Sequence, residues 1–155
     1  MTVSLIERRV IEAQALAPLV RALGEELGLD KVKAVLQAVN ERASREYGQE
    51  LAQRLGSNTL ADLAREMSSW GQGGVLEEEV LEQSQTVYAF NVTRCLYAEK
   101  YAELGLADLG YCLSCCRDEP FAQGFNPGIV FTRTRTIMEG APICDFRYTL
   151  NTEPD

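Results

Sequence analysis

Apolar residues in the first half of the chain recur every three or four positions, the spacing of one face of an α-helix. One such stripe runs from Ile6 to Leu27. Because Pro18 lacks an amide donor and clashes with the preceding turn, we expect two helical pieces or one bent helix. Gly28 is predicted to end that helix and Asp30 to cap a second one, which ends near Gly56. The inward stripe of the second helix is predicted to comprise Val32, Val35, Leu36, Val39, Ala43 and Leu51.

A third, shorter helix is predicted next, because Ser57 and Asn58 can cap it and apolar residues again follow helical spacing. Its inward residues are predicted to be Leu60, Leu63, Ala64 and Met67. The sequence GQGG at residues 71–74 breaks this helix. After it the apolar period changes to two, which separates a helical part, residues 1–73, from a mixed part, residues 74–150.

Alternating apolar residues in the mixed part predict two β-hairpins. The first joins residues 76–82 to residues 87–94, and the second joins residues 129–138 to residues 143–150 through a turn at residues 139–142. One face of the third strand is predicted to carry Ile129, Phe131, Arg133 and Arg135.

Two helices are predicted between the hairpins, at residues 95–105 and about 108–118. Pro120 suits the first turn of a further helix capped by Asp118 or Glu119. Helices followed by hairpins predict an α+β fold in which one antiparallel sheet is covered by helices. The 155 residues, 1–155, are expected to form a single domain with a frayed C-terminal tail from residue 151 onward.

Composition narrows the class of protein. Hydrophobic residues make up 46% of the chain and charged residues 25%, and no apolar run approaches the roughly 20 residues of a membrane span. A soluble protein without a membrane partner is therefore expected. The N-terminal sequence MTVSLIERRVIEAQ is charged from Glu7 onward, which argues against an export peptide and for a cytoplasmic location. A net charge of −8 argues against a nucleic-acid partner.

Histidine is absent, so imidazole cannot serve as a base or a ligand, and attention falls on the cysteines of CLSCCRDEP, residues 112–120. Cys112 and Cys116 are four residues apart, and such free cysteines usually pack as small hydrophobes. Cys115 and Asp118 are three residues apart and can be neighbours over one helical turn. A thiol beside a carboxylate suits proton transfer, although Asp118 could equally be a helix cap.

Ionising such a thiol requires a nearby cation, because the carboxylate raises its pKa. Arg117, Arg94 or a strand arginine could supply that charge. Arg133 and Arg135 could instead bind a ligand carboxylate through their planar guanidinium groups, or lie on a solvated strand edge.

A metal site is a minor alternative. Zinc could be held by Cys95, Cys115 and Cys144, but the chain lacks the second C-x2-C pair that makes such a prediction strong. No cofactor and no resident metal are therefore expected.

Five motifs follow one another in order between residues 75 and 150. They are Arg94-Cys95-x-Tyr97, Cys115-x-x-Asp118, Asn126-Pro127, Arg133-Thr-Arg-Thr136, and Gly140 through Cys144-Asp-Phe-Arg147. This ordered set, which spans about half of the chain, resembles the L-2-amino-thiazoline-4-carboxylic acid hydrolases.

The resemblance implies hydrolytic opening of a thiazoline ring to N-carbamoyl-L-cysteine, a step of cysteine biosynthesis. Either Cys115 attacks the amidine-like carbon or Asp118 activates a water that does so. Arg133 is implied to hold the substrate carboxylate and Asp145 to pair with the amidinium. The implied catalytic residues are Cys115, Asp118, Cys95 and Cys144, and the implied substrate-binding residues are Arg133, Asp145 and Arg94.

The pattern also resembles, less closely, small ligand-binding domains of the vinyl-reductase type. These often end in a cysteine followed by an aromatic strand, as Cys144-Asp-Phe does here. The alternative function is therefore a non-catalytic module that binds a small ligand or a metal. Under either reading the partner is a small molecule, and a homodimer is compatible with open sheet edges and an amphipathic helical half.

Overall fold

The computed structural model of the chain describes residues 3–151, so most of the tail predicted to fray lies outside the described residues. The helices and strands are, in chain order, α1 (Leu5–Leu27), α2 (Leu29–Leu55), α3 (Leu60–Trp70), β1 (Leu76–Gln83), β2 (Val87–Cys95), α4 (Leu96–Glu103), α5 (Gly110–Leu113), α6 (Asp118–Phe125), β3 (Ile129–Thr132) and β4 (Cys144–Leu150). Short 3-10 turns occupy residues 72–74, 107–109, 115–117 and 137–139. None of the helices within residues 3–151 is long and apolar enough to cross a membrane.

The four strands form one antiparallel sheet in the order β1-β2-β4-β3. The two predicted strand pairs therefore join through the central strands β2 and β4, and the predicted α+β fold is confirmed. One face of the sheet is covered by α3, α6 and the end of α2, and its buried residues are Tyr88, Phe90, Val92, Cys144, Phe146 and Tyr148. A second apolar cluster fills the space between α1, α4 and α5.

The predicted third strand, residues 129–138, is too long. β3 ends at Thr132, and Arg133 and Arg135 do not share a strand face, because the Arg133 side chain is 5% exposed and that of Arg135 is 54% exposed. The reason is a competing acceptor: the Asp145 carboxylate accepts hydrogen bonds from the backbone amides of Thr134 and Arg135, each at 2.9 Å. These amides are therefore unavailable to a longer ladder.

The helix boundaries differ in detail from the prediction. α1 passes through Pro18 as a single helix, one of the two predicted alternatives. Gly28 ends α1 as predicted, but α2 begins at once, one residue before Asp30. α3 is capped by Thr59 rather than by Ser57 or Asn58, because the Thr59 hydroxyl accepts a hydrogen bond from the Asp62 amide.

The predicted inward stripe of α2 is wrong for its middle section. Val35 and Val39 are 60% and 48% exposed, and Ala43 is also exposed. Leu51 is buried as predicted, but the other buried residues are Asn40, Ser44 and Gly48. The face turned inward is polar and small because it contacts backbone: Asn40 Nδ2 donates to the Cys112 carbonyl at 2.7 Å, and Ser44 Oγ donates to the Arg117 carbonyl at 2.8 Å.

Glycines bring α2 and α6 into close backbone contact. A Cβ on Gly48 would overlap the Phe121 carbonyl oxygen and lie 2.8 Å from the Phe125 amide nitrogen. A Cβ on Gly124 would likewise overlap the Arg45 carbonyl. Because α6 begins at Asp118, this packing fixes the position of a candidate site residue.

The predicted helix at about 108–118 is broken. α5 ends at Leu113, a 3-10 turn covers residues 115–117, and α6 then begins at Asp118. Asp118 is therefore inside the first turn of α6 instead of capping it. Cys112 and Cys116 are buried, which confirms their assignment as packing residues.

Candidate functional site

A cavity of about 240 Å³ lies between the inner face of the sheet and the helices. It is bordered by residues of both apolar clusters. Its walls combine aromatic and aliphatic side chains with three thiols, four arginines and one carboxylate; the lining residues are Leu5, Arg8, Arg9, Ser44, Tyr47, Trp70, Leu76, Val92, Cys95, Tyr97, Ser114, Cys115, Arg117, Asp118, Phe121, Arg133, Met138, Cys144 and Phe146.

Five of the seven residues proposed from the sequence line this cavity. Cys95 ends β2 and Cys144 begins β4, so the two central strands carry these thiols. Cys115 lies in the 3-10 turn before α6, Asp118 is the first residue of α6, and Arg133 follows β3. The fold thus brings together residues that are up to 49 positions apart, from 95 to 144.

Arg94 and Asp145 are not among the lining residues. Arg94 is exposed and forms ion pairs with Glu99 at 2.8 Å and Glu77 at 3.6 Å. Asp145 accepts hydrogen bonds from Thr134 and from the Arg135 amide. Burial raises the pKa of Asp145, but these hydrogen bonds outweigh it and lower the pKa below its ordinary value. Asp145 therefore fixes the segment that carries Arg133.

Arg133 and Asp118 form the central ion pair of the cavity. Arg133 Nη1 donates to Asp118 Oδ2, and Nη2 donates to the Cys115 carbonyl at 2.9 Å. Burial tends to lower the pKa of Arg133, but Asp118 raises it, so the guanidinium stays charged. Burial raises the pKa of Asp118, and Arg133 opposes that shift. Both terminal nitrogens of Arg133 are thus engaged by the protein.

Aromatic rings enclose the same guanidinium. The Arg133 Cζ atom lies 5.0, 5.4 and 6.0 Å from the ring centroids of Phe146, Phe131 and Tyr111. Such cation–π contacts stabilise a partly desolvated guanidinium. The Arg133 guanidinium is therefore held both by the aromatic rings around it and by the hydrogen bonds of its terminal nitrogens.

The surroundings of the three cavity thiols favour the neutral form over the thiolate. Burial raises the pKa of Cys115 well above its ordinary value, and the neighbouring Asp118 raises it further, whereas Arg133 only partly opposes the shift. Burial also raises the pKa of Cys95 and of Cys144. The cation that would ionise Cys115 is present, but it is paired with the carboxylate.

Arg9 and Arg117 are cavity residues with no predicted ligand-binding role. Arg117 was considered only as a compensating cation for the thiol, and Arg9 lies in α1 without any local motif. Arg9 Nη1 contacts Glu12 Oε2 at 2.6 Å, and Arg117 Nη2 donates to Asn40 Oδ1 at 2.6 Å. Burial lowers the pKa of Arg117, and the nearby Arg9 lowers it further. The sequence could have indicated a role for these arginines only through their position: each lies close to apolar residues that are buried in the fold.

Within residues 3–151, no group of three or more Cys, Asp or Glu side chains is arranged to hold a metal ion. The zinc alternative built on Cys95, Cys115 and Cys144 therefore has no geometric support. What the arrangement offers is a small, largely apolar cavity with a carboxylate, a neutral thiol and several cations.

Comparison with known proteins extends the resemblance seen in the second half. A family model described as L-2-amino-thiazoline-4-carboxylic acid hydrolase matches residues 8–148. The chain belongs to this family. The match begins in α1, so the family pattern includes the helical part as well as the ordered motifs. A search of curated proteins finds no match to this member of the L-2-amino-thiazoline-4-carboxylic acid hydrolase family.

Among solved structures, this member of the family is similar to the phenol-responsive sensory domain of the transcription activator PoxR with phenol bound. The TM-score is 0.53 at 14% sequence identity, and the match covers 88% of this chain and 73% of the PoxR chain. At that identity the likeness shows a shared fold.

Proposed function

We propose that the protein hydrolyses a small carboxylated cyclic amidine, with L-2-amino-thiazoline-4-carboxylate as the first candidate. The observation that carries this proposal is that Asp118 and Cys115 are neighbours in one cavity, whose lining has four arginines and only one carboxylate. Membership of the family supports the substrate class. The product, N-carbamoyl-L-cysteine, would place the reaction on a route to cysteine.

Hydrolysis by water agrees better with the electrostatics than attack by a thiolate. Burial and Asp118 keep the Cys115 thiol protonated, which removes most of its nucleophilicity. Asp118 has a pKa raised by burial, as a general base needs, and its Oδ2 is fixed by Arg133. In the proposed reaction Asp118 accepts a proton from water as the water adds to the carbon between ring nitrogen and sulfur.

The rest of the step then balances without a co-reactant. The carbon–sulfur bond breaks, one water proton ends on the ring nitrogen, and the other ends on the released sulfur. The protonated Cys115 thiol is suited to donate that last proton and to regain one from Asp118. Arg133 holds Asp118 in place throughout.

The alternative is a non-catalytic ligand-binding module, and one observation favours it. All three cavity thiols are neutral and the carboxylate is paired, while the fold is shared with a sensory domain described as phenol-responsive. On this alternative the cavity binds a small ligand with an aromatic or flat body against the aromatic side chains of its lining, Trp70, Phe121 and Phe146.

A turnover assay distinguishes the hydrolase from the non-catalytic binding module. The purified protein is incubated with L-2-amino-thiazoline-4-carboxylate, and the released thiol is followed with a thiol-reactive chromogen. Asp118→Asn is expected to lower kcat/KM by about 100-fold or more, as loss of a general base does. Asp108→Asn is the matched control, because Asp108 is an exposed carboxylate paired with Arg21 outside the cavity.

Cys115→Ser separates the two chemical routes. Loss of all turnover supports covalent catalysis, whereas a partial loss supports attack by water. If both Asp118→Asn and Cys115→Ser stay within about tenfold of the unmodified protein, the catalytic assignment fails. A folded protein that binds the thiazoline and never releases thiol is the binding module.

A further inference from the structure

Arg9 and Arg117 place two guanidinium groups in the wall of the cavity away from the Asp118–Arg133 pair. Arg9 reaches the cavity from α1, and Arg117 from the 3-10 turn before α6. Their side chains are 22% and 17% exposed, so both charges are partly withdrawn from solvent. Each is within 4.0 Å of the same carboxylate, Glu12, at 2.6 Å from Arg9 and 4.0 Å from Arg117.

The charges at this end of the cavity do not balance. Arg9 and Arg117 share one carboxylate, Glu12, which leaves a surplus of one partly buried positive charge; Arg8, which also lines the cavity, adds an exposed one. Arg117 has neutral partners besides Glu12, the Leu113 carbonyl at 3.0 Å and the Asn40 side-chain oxygen at 2.6 Å. These acceptors hold the guanidinium in position without cancelling its charge. Two like charges beside one carboxylate repel each other, and the lowered pKa of Arg117, caused by burial and then by Arg9, agrees with this.

A single ligand anion at this position would restore the balance. It would relieve the repulsion between two partly buried cations, where screening by water is weak. Guanidinium groups are also the donors that best match the planar geometry of a carboxylate.

We propose that Arg9 and Arg117 form the anion-binding end of the cavity and hold the carboxylate of a small monoanionic ligand. This deepens the proposed function, on which it rests, by naming the residues that select the acid group. Arg133 is then a positioning residue for Asp118. It has both terminal nitrogens occupied, is 5% exposed, and is packed against three rings.

The proposal also limits the ligand. The cavity of about 240 Å³ is smaller than the roughly 300–1,000 Å³ of typical drug-sized pockets. A ligand with a body the size of one ring suits this volume, and the lining offers it aromatic side chains as well as the two arginines.

Benzoate and benzamide test this inference without requiring turnover, because they share size and shape and differ in charge. Their binding to the full-length protein is measured by isothermal titration calorimetry. We expect benzoate to bind at least about tenfold more tightly than benzamide, the size of one charge-assisted hydrogen-bonded contact. Arg117→Met and Arg9→Met should each abolish most of that preference, and Arg117→Lys should retain part of it.

Controls separate this result from misfolding and from failure of the proposed reaction. Arg21→Met removes an exposed arginine of α1 that pairs with Asp108 outside the cavity, and it should keep the full preference for benzoate. Arg9→Met guards against a fold defect in the Arg117 variants, because Arg117 also contacts backbone. Circular dichroism verifies that each variant is folded.

The inference is overturned if benzoate and benzamide bind equally, if neither binds, or if folded Arg9→Met and Arg117→Met variants keep the preference. Failure of thiazoline turnover with an intact, arginine-dependent preference for benzoate would remove the hydrolase proposal and leave this inference standing. With the thiazoline itself, loss of Arg117 should raise KM more than it lowers kcat if turnover occurs.

Discussion

Gly48→Ala tests the contact that positions α6 and thus Asp118. In a helix interior, glycine to alanine ordinarily stabilises by about 1 kcal/mol. Here the new Cβ would lie 2.8 Å from the Phe125 amide nitrogen and closer still to the Phe121 carbonyl oxygen, well inside the roughly 3.3 Å of even a close C–H···O contact. Both atoms are backbone, so the clash can be relieved only by moving a helix.

Overpacking of this kind costs about 1–3 kcal/mol. Taking the upper end for a backbone clash and subtracting the propensity gain, we expect Gly48→Ala to lower the free energy of unfolding by about 2 kcal/mol. With a urea m-value of about 2 kcal/mol/M, the unfolding midpoint would fall by about 1 M. Because α6 carries Asp118 and Phe121, ligand binding or turnover should fall as well.

Gly24→Ala is the matched control on the other long helix. Its Cβ would meet the end of the Leu29 side chain at 3.0 Å and the Leu29 Cα at 3.3 Å. The side-chain end can rotate away, and the tight contact with the Leu29 Cα offsets part of the propensity gain, so the unfolding midpoint should change by less than about 0.5 M. Equal stability of the two variants, or a more stable Gly48→Ala protein, would refute the close packing of α2 on α6.

Three further predictions concern buried polar groups. Iodoacetamide should label Cys115 slowly at neutral pH and faster at alkaline pH, because burial and Asp118 raise its pKa; rapid labelling at pH 7, read by mass spectrometry, contradicts a neutral thiol. Tyr148→Phe should leave the free energy of unfolding within about 1 kcal/mol or raise it, since the buried Tyr148 hydroxyl has no hydrogen-bond partner among residues 3–151; a larger loss in urea unfolding argues otherwise. The folded-state pKa of Asp145 is lowered, so its stabilisation is present above the unfolded value of about 3.9 and is lost as pH falls through the folded value; the stability gap between the unmodified protein and Asp145→Asn should therefore shrink below about pH 4, and a constant gap contradicts this.

Periodicity predicted the elements whose stability depends on burying one apolar face. The first hairpin and the order of helices and strands follow from apolar alternation, as in Tyr88, Phe90 and Val92. The ordered cysteine, aspartate and arginine motifs also pointed to residues that the structure gathers around one cavity. The elements are encoded in short stretches of sequence, whereas the site residues were found from a set of motifs spread over half of the chain.

Interactions between distant residues account for the errors. The third strand is shortened by Asp145, which takes the amides of Thr134 and Arg135. The inward face of α2 is misassigned because Asn40 and Ser44 are buried by hydrogen bonds to residues more than 70 positions away. No local pattern distinguishes such a buried polar residue from an exposed one, and the same is true of Arg9.

The break between α5 and α6 explains why the helical part of the chain belongs to the site. Interrupting a helix leaves carbonyl groups without amide partners, and a buried unpaired carbonyl is costly. Here side chains donate to two carbonyls at the end of α5: Asn40 Nδ2 to the Cys112 carbonyl and Arg117 Nε to the Leu113 carbonyl. Arg133 is a second donor to the Cys115 carbonyl, which already accepts a hydrogen bond from the Asp118 amide.

The break is therefore stabilised from both sides, by α2 and by the segment after β3. A continuous helix would satisfy the Cys112 and Leu113 carbonyls with its own amides and would not need these side-chain donors. It would also carry Asp118 around the helix axis, because each residue turns the side chain by about 100°. The polar face of α2 thus shapes the cavity by hydrogen bonding to the backbone of residues 112–117, which are distant in sequence. This agrees with a family match that starts at residue 8 instead of at the motifs of the second half.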